Sequence, residues 1–407
     1  MLDERLLFSN CILSENQLWY VSNQGYLMHM DMSTGKVSYA GIENKDNWVK
    51  HSMSDPMFAY EGCLYWVDQF GMAVHEYCIR LKEYYLYELP ATERLETCYA
   101  GIFMYAGKIY MFPQKAPGLI IFDLDKKEIS VQSSLYEDFW ARERCKKNLT
   151  LYYAVQNENF VYVFLTDMET VWEVNVRNGK YRTLSLKQKV LDISCAIYIN
   201  NLMYILDLNG NVYTWNIESD EFFCIFECKT TGLSFSRMIV TENKLFMLPN
   251  MSKKILIMDL KYKTVLEADN YPDDLQYREI NWSKYWGYTE DEQCVWFATR
   301  ISNYMLCINK DKEAIEWKKI IAPTDREEYE FCRSIKCLQH KRKSNEILQE
   351  REYGIQYFLF ITSTNEEEKM EYCVEKQTVG MAIWQEEKNN VVREDTRDGD
   401  GENENVR

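Results

Sequence analysis

Four histidines, thirteen cysteines and a small set of arginines and tryptophans are the side chains of this sequence that could carry chemistry. The histidines, His29, His51, His75 and His340, lie far apart, and none stands near further ligands at a spacing that holds zinc. A packed, hydrogen-bonded imidazole is the expectation for His29 and His75. The closest cysteine pairs, Cys224 with Cys228 and Cys332 with Cys337, are not C-x-x-C, so no metal site is expected. Gly-rich phosphate loops and the G-x-S-x-G nucleophile turn are missing from the sequence. Carboxylates abound, yet no two are marked as an acid–base pair. These observations lean against an enzyme and imply no cofactor.

The remaining chemistry is that of recognition. Trp140, Arg142 and Arg144 stand together in YEDFWARERCKKN, and Arg278, Trp282 and Trp286 in and beside REINWSKYWGY. Trp48 lies in KDNWVKH, and Arg237 in SFSRMIV adds a cation at a comparable position. Indole and guanidinium in one concavity suit stacking on a sugar face, peptide docking and capture of a carboxylate. The competing reading is that the rings fill gaps between packed sheets. That reading is favoured for Trp48, and the two stand level for Trp140 and Trp282. The candidate ligand site is therefore Trp140, Arg142, Arg237, Arg278, Trp282 and Trp286, for a protein, peptide or glycan ligand.

The elements that must position these residues are read from Cys195–Phe226, which splits into runs Cys195–Ile199, Leu202–Asp207, Asn211–Asn216 and Glu221–Phe226. Asn209-Gly210 predicts a type I′ hairpin, because that turn needs positive φ at both central residues. One four-stranded antiparallel meander is thus the unit, and it recurs. An apolar run with an aromatic second residue appears at Trp19, Tyr65, Tyr110, Tyr162, Tyr204, Phe246 and Trp296, at separations of 46, 45, 52, 42, 42 and 50 residues. Asp31, Cys78, Asp123, Asn175, Asn216, Asp259 and Asn309 follow each aromatic by 12 or 13 residues. An Asx side chain there can accept from the backbone two residues on and close the turn between third and fourth strands. Cys78 cannot do so, which predicts that the second unit has the least regular turn.

A four-stranded repeat of this length marks an all-β fold, a β-propeller of seven four-stranded blades, with six or eight as alternatives. The repeat resembles those of the kelch and PQQ-like propeller superfamilies: Gly25–Tyr39, GYLMHMDMSTGKVSY, is similar to the strand–Asp–Thr-Gly-Lys–strand segment of PQQ-type repeats, and the repeat length suits kelch. The kelch Gly-Gly doublet and the regular Trp of PQQ-type blades are missing, so the resemblance implies architecture and leaves function open. The propeller is placed at residues 1–325. Residues 326–385 are expected to form an appendage or a degenerate extra blade, with strands over Phe331–Leu338 and Ile355–Thr362, and residues 386–407 an acidic disordered tail.

Composition narrows the partners. With 63 acids against 47 bases the net charge is −16, which disfavours nucleic acid and anionic membrane surfaces, and the basic run HKRKS is too short to reverse that. No window approaches the ~18 apolar residues that cross a bilayer. The start MLDERLLFSN is not a secretory signal, and scattered cysteines without one imply reduced thiols in a cytoplasmic protein. A closed ring should cover its strand edges and so favours a monomer. The leading expectation is a non-catalytic binding scaffold using one face of the channel. The alternative is a hydrolase or lyase acting on carbohydrate, which requires two carboxyl groups ~5–10 Å apart.

Overall fold

The repeat folds as seven sheets of four strands each. The structure, a computed structural model, describes residues 8–22, 26–42, 56–67, 73–89, 99–114, 118–133, 136, 150–188, 190, 192–228, 235–250, 254–276, 285–299 and 302–335. Four consecutive strands make each blade: β1–β4 over residues 8–42, β5–β8 over 58–88, β9–β12 over 99–132, β13–β16 over 151–185, β17–β20 over 193–226, β21–β24 over 235–267 and β25–β28 over 285–319. Every sheet is a simple antiparallel meander. The first strands of adjacent blades lie against one another in six of the seven neighbouring pairs, including β25 (Tyr285–Glu290) against β1 (Phe8–Ser14), which closes the ring. The chain is a seven-bladed β-propeller.

The recurring aromatic has one job in all seven blades. Trp19, Tyr65, Tyr110, Tyr162, Tyr204 and Phe246 each belong to the apolar cluster shared with the following blade, and Trp296 packs on the cluster joining the seventh blade to the first. A single sheet cannot bury both faces, so one large ring per interface supplies the surface that makes neighbouring blades adhere.

The Asx residues close their turns as expected. Asp31 Oδ1 accepts from Ser33 N and Thr34 N at 2.9 and 2.8 Å, Asn175 Oδ1 from Arg177 N at 3.0 Å, and Asp259 Oδ1 from Lys261 N and Tyr262 N at 2.9 and 2.7 Å. The turn after Cys78 nevertheless has the same backbone as the others. Lys82 N donates to Cys78 O at 2.8 Å with Lys82 at φ 54°, just as Lys127 N donates to Asp123 O at 2.8 Å with Lys127 at φ 59°. The expected irregularity is therefore absent: the backbone sets the turn, and the Asx oxygen only satisfies its amides.

Asn209-Gly210 also departs from expectation. Gly210 has φ +83° but Asn209 is not left-handed, and a three-residue loop is held by Asp207, whose Oδ1 accepts from Asn211 N at 2.8 Å. The type I′ signature instead falls on Asn200 and Asn201, with φ 51° and 62°, between β17 (Ile193–Ile199) and β18 (Leu202–Asp207).

Ring closure exchanges no strand between the first and last blades. It uses Val37 N to Ile321 O at 2.9 Å, Ile321 N to Gly35 O at 2.8 Å, and Leu13 N to Thr289 Oγ1 at 3.1 Å. Gly35 is required there, since φ is +76° and a Cβ would overlap the Lys319 carbonyl. Closure does not cover every edge, contrary to expectation, because the fourth strand of each blade remains at the perimeter. On β16 (Lys180–Ser185) that edge exposes Lys180 and Arg182, charges of the kind that discourage edge pairing.

Phe331 opens no strand. It lies in a helix, α1 (Asp325–Ile335), begun by a reciprocal cap in which Glu327 Oε2 accepts from Thr324 N at 2.7 Å and Glu327 N donates to Thr324 Oγ1 at 3.3 Å. The Phe331 ring stacks on Tyr39 at 4.8 Å, and Lys36 pairs with Glu327 at 2.8 Å, so the helix rests on the first blade. The described residues all fall in one compact unit. The expected strand Ile355–Thr362 and the acidic tail lie outside the described residues. Among the described residues no helix is long and apolar enough to cross a membrane, and eight cysteines are free thiols, five of them buried.

Candidate binding site in the channel

Bulges in the innermost strands build the site. The pairing of first and second strands slips between Leu151 and Tyr153, Ile193 and Cys195, Phe235 and Arg237, and Tyr285 and Tyr288. An extra residue re-aims the side chain that follows it. Tyr153, Cys195, Arg237 and Tyr288 all line one cavity, together with Ala196, Met238 and Phe297. The first three sit opposite Phe164, Leu206 and Leu248, the same register position in successive blades.

The cavity has a volume of about 30 Å³. Roughly 10–15 Å³ on that measure holds one water, so the space takes a group the size of a carboxylate and falls short of a sugar ring. Burial pushes the Tyr153 phenol up, and a phenol stays protonated at neutral pH in any case, as at Tyr288. Tyr288 keeps 50% of its surface accessible because it borders the lumen. Arg237, cationic at any working pH, donates to Ser236 O at 3.3 Å and interacts electrostatically with Tyr153, Cys195 and Tyr288. No carboxylate is found among the described residues that line this space. A guanidinium and two phenols form a donor-rich pocket suited to an anionic group.

Arg237 thus lies on an innermost strand, β21 (Phe235–Val240), rather than in an interblade link. Trp286 falls on β25, also innermost. Trp140, Arg142, Arg278 and Trp282, with Trp48 and Arg144, lie outside the described residues. Sequence reading missed Tyr153, Cys195 and Tyr288. One signal was available: Tyr153, Cys195 and Arg237 are spaced by 42 residues, the same interval as the aromatics Tyr162, Tyr204 and Phe246.

The described histidines lie on third strands, away from the lumen. His75 is fully buried, stacks on Trp66 at 5.1 Å and is hydrogen-bonded to Tyr84 through Nδ1, as expected. His29 packs on Trp19 at 4.8 Å, but its Nδ1 has no hydrogen-bond partner, and burial lowers its pKa. Among the described residues one group could offer metal ligands: Cys63, Glu76 and Cys78, whose donor atoms lie within 4.8 Å of one another. Its chemistry argues against an ion. Glu76 already accepts from Tyr65 at 2.9 Å, Tyr87 at 2.5 Å and Lys127 at 2.8 Å, which occupies its oxygens and neutralises its charge without an ion.

No family model matches the chain, and no curated protein does. Similar solved structures share the propeller at low identity. Virginiamycin B lyase from Staphylococcus aureus has a TM-score of 0.53 and 11% identity, over 74% of this chain and 94% of that one. PorZ, a surface component of the type-IX secretion system of Porphyromonas gingivalis, has a TM-score of 0.50 and 12% identity, over 78% of this chain and 39% of that one. The extracellular domain of a putative hybrid two-component system from B. thetaiotaomicron gives 0.50 and 11%, over 78% and 40%. Two of these three proteins are thus more than twice the span that this chain matches, and at such identities the likeness is one of fold.

Proposed function

We propose that this propeller is a non-catalytic binding scaffold that holds a protein, peptide or glycan at one face of its channel by seating a carboxylate of the ligand beside Arg237. The carrying observation is the lumenal pocket, sized for one carboxylate and lined by Arg237, Tyr153 and Tyr288. The body of the ligand would rest on the surrounding links, to which the sequence assigns the rings and cations of Trp140, Arg142, Arg278 and Trp282, with Trp286 on the innermost strand β25. A chain of net charge −16 supports a protein or sugar partner over nucleic acid or an anionic membrane. Eight free thiols among the described residues support a cytoplasmic setting, and the charged perimeter of β16 supports a monomer.

The carbohydrate-acting enzyme is disfavoured by the same pocket, whose described lining contains no carboxylate to serve as acid or base. The lyase with the same fold has a catalytically inactive histidine-to-alanine variant. Here both described histidines are packed within blades.

The test is an immobilised peptide array in matched pairs, each sequence ending once in a free carboxylate and once in an amide. Retention of acid forms only, lost in Arg237→Met, supports the reading. Equal retention of both forms, or retention unchanged in Arg237→Met, overturns it. Trp140→Ala with Trp282→Ala should abolish capture while leaving Tm nearly unchanged.

A further inference from the structure

In six blades the third strand ends in an Asp or Asn whose side chain serves the turn; in the second it ends in Cys78. The structure supplies a different use for that position. Cys78 on β7 (Ala73–Cys78) is the direct cross-strand partner of Cys63 on β6 (Cys63–Val67), and the two sulfurs are 2.7 Å apart. Ile79 N donates to Gly62 O at 3.1 Å, which makes Gly62 and Ile79 a hydrogen-bonded pair and Cys63 with Cys78 the adjoining non-hydrogen-bonded pair. At such positions Cα atoms approach to about 4.5 Å and side chains are closest, within the roughly 4.4–6.8 Å that a disulfide spans.

We propose that Cys63 and Cys78 are an oxidation site, closing to an intrablade disulfide when the protein meets a low-molecular-weight disulfide such as oxidised glutathione. The two sulfurs differ in a way that orders the reaction. Cys78 is partly exposed, whereas Cys63 is 7% exposed and its thiol is held up by burial and by its contact with Cys78. Cys78, as thiolate, attacks one sulfur of the small disulfide, expels the other as a thiolate and becomes a mixed disulfide. Cys63 then loses its proton and attacks the Cys78 sulfur, expelling the second small thiolate. The two cysteines lose two electrons and two protons, and the small disulfide gains both to become two thiols.

Position and access distinguish this pair from the other adjacent pair among the described residues. In the seventh blade Cys294 is opposite Asn309 and Cys307 opposite Trp296, so those two are diagonal rather than direct partners, and both are buried at 8% and 1% exposure. Closure at Cys63–Cys78 would tie β6 to β7 at the end where other blades use an Asx oxygen. In a reducing compartment the pair stays open.

The experiment treats the full chain with oxidised glutathione, blocks remaining thiols with N-ethylmaleimide and maps non-reduced peptides by mass spectrometry. The expected result is loss of two thiols per chain, a Cys63–Cys78 linked peptide and a Tm raised by a few degrees, all reversed by dithiothreitol. Cys63→Ser should trap a glutathione adduct on Cys78, and Cys78→Ser should give neither an adduct on Cys63 nor a link, whatever forms at the exposed Cys224. If Cys78→Ser folds poorly, Cys78→Asn restores the residue type of the other blades and must likewise block the link. An unchanged thiol count, a link mapped elsewhere, or an unmodified Cys78 in Cys63→Ser overturns the proposal.

Discussion

The second and fourth blades carry the same charge at the same place and neutralise it differently. Glu76 and Glu173 both sit two residues before the turn on a third strand, each directly opposite the recurring tyrosine, Tyr65 or Tyr162. In the fourth blade the next strand provides the cation: Arg182 is the cross-strand partner of Glu173 and grips it through two bonds of 2.7 and 2.8 Å. In the second blade that partner is Tyr85, which offers no charge. Glu76 instead takes Lys127 from the following blade at 2.8 Å, with Tyr65 and Tyr87 donating their hydroxyls. One carboxylate is satisfied inside its own sheet and the other fastens two sheets together. Position in the repeat therefore fixes where a charge lies, and the neighbouring strand decides whether it serves a blade or an interface.

Removing the cations should separate the two cases most sharply. Lys127→Met leaves Glu76, 5% exposed, without its counter-charge in a closed interface, at an expected cost of about 2–4 kcal/mol. Arg182→Met should cost less, about 1–2 kcal/mol: Glu173 is itself buried, with 9% of its side chain exposed, but Arg182 is 61% exposed and its removal opens the carboxylate to water from the perimeter. Urea denaturation of the two variants side by side measures both. Equal losses would mean that the interface ion pair holds no more than the one within the sheet.

Acid should expose the same asymmetry. Burial alone would raise the Glu76 carboxyl, but hydrogen bonds from Lys127 and Tyr87 outweigh it and hold the group below its ordinary value. A carboxyl lowered in the folded state binds fewer protons there than in the unfolded chain. Its contribution is present above the unfolded value of about 4.3 and is lost as pH falls through the folded one. In Lys127→Met the ammonium is gone and burial dominates, so the carboxyl should rise above its unfolded value. The stability gap between wild type and variant should then narrow from about pH 6 to pH 3. A gap that is flat over that range would show that Lys127 does not set the protonation of Glu76.

How far such features were legible depends on whether they repeat. The aromatic recurs in every unit and the Asx residue in six of the seven, with local causes, apolar alternation and a short acceptor, and both stand where spacing puts them. Arg237 could be singled out as a cation, but not as lumenal, because a bulge shifts alternation by one residue without any residue type announcing it. Cys63 and Cys78 looked unrelated for a similar reason, since their pairing follows from hairpin register. The pairing of Glu76 with Lys127 depends on which blade faces which, a relation that no single repeat contains. Phe331 was misread because a short apolar run satisfies strand or helix equally, although the cap Thr324-x-x-Glu327 just before it was the deciding signal.

The smallest effects test whether the turn residue matters once the backbone has set the turn. Asn175→Ala removes an acceptor that satisfies Arg177 N at 3.0 Å, and should cost about 0.5–1 kcal/mol. Cys78→Asn makes the reverse change in the second blade. The turn there already has the shared geometry, with Lys82 N bonded to Cys78 O at 2.8 Å, so no rearrangement is needed for an Asn side chain to take up the following amides. That substitution should be neutral or stabilise by up to about 0.5 kcal/mol, read as a small rise in Tm against the fall in Asn175→Ala. If Cys78→Asn instead destabilised the protein as much as Asn175→Ala, the thiol would be contributing to the second blade through its contact with Cys63 what the oxygen contributes to the fourth.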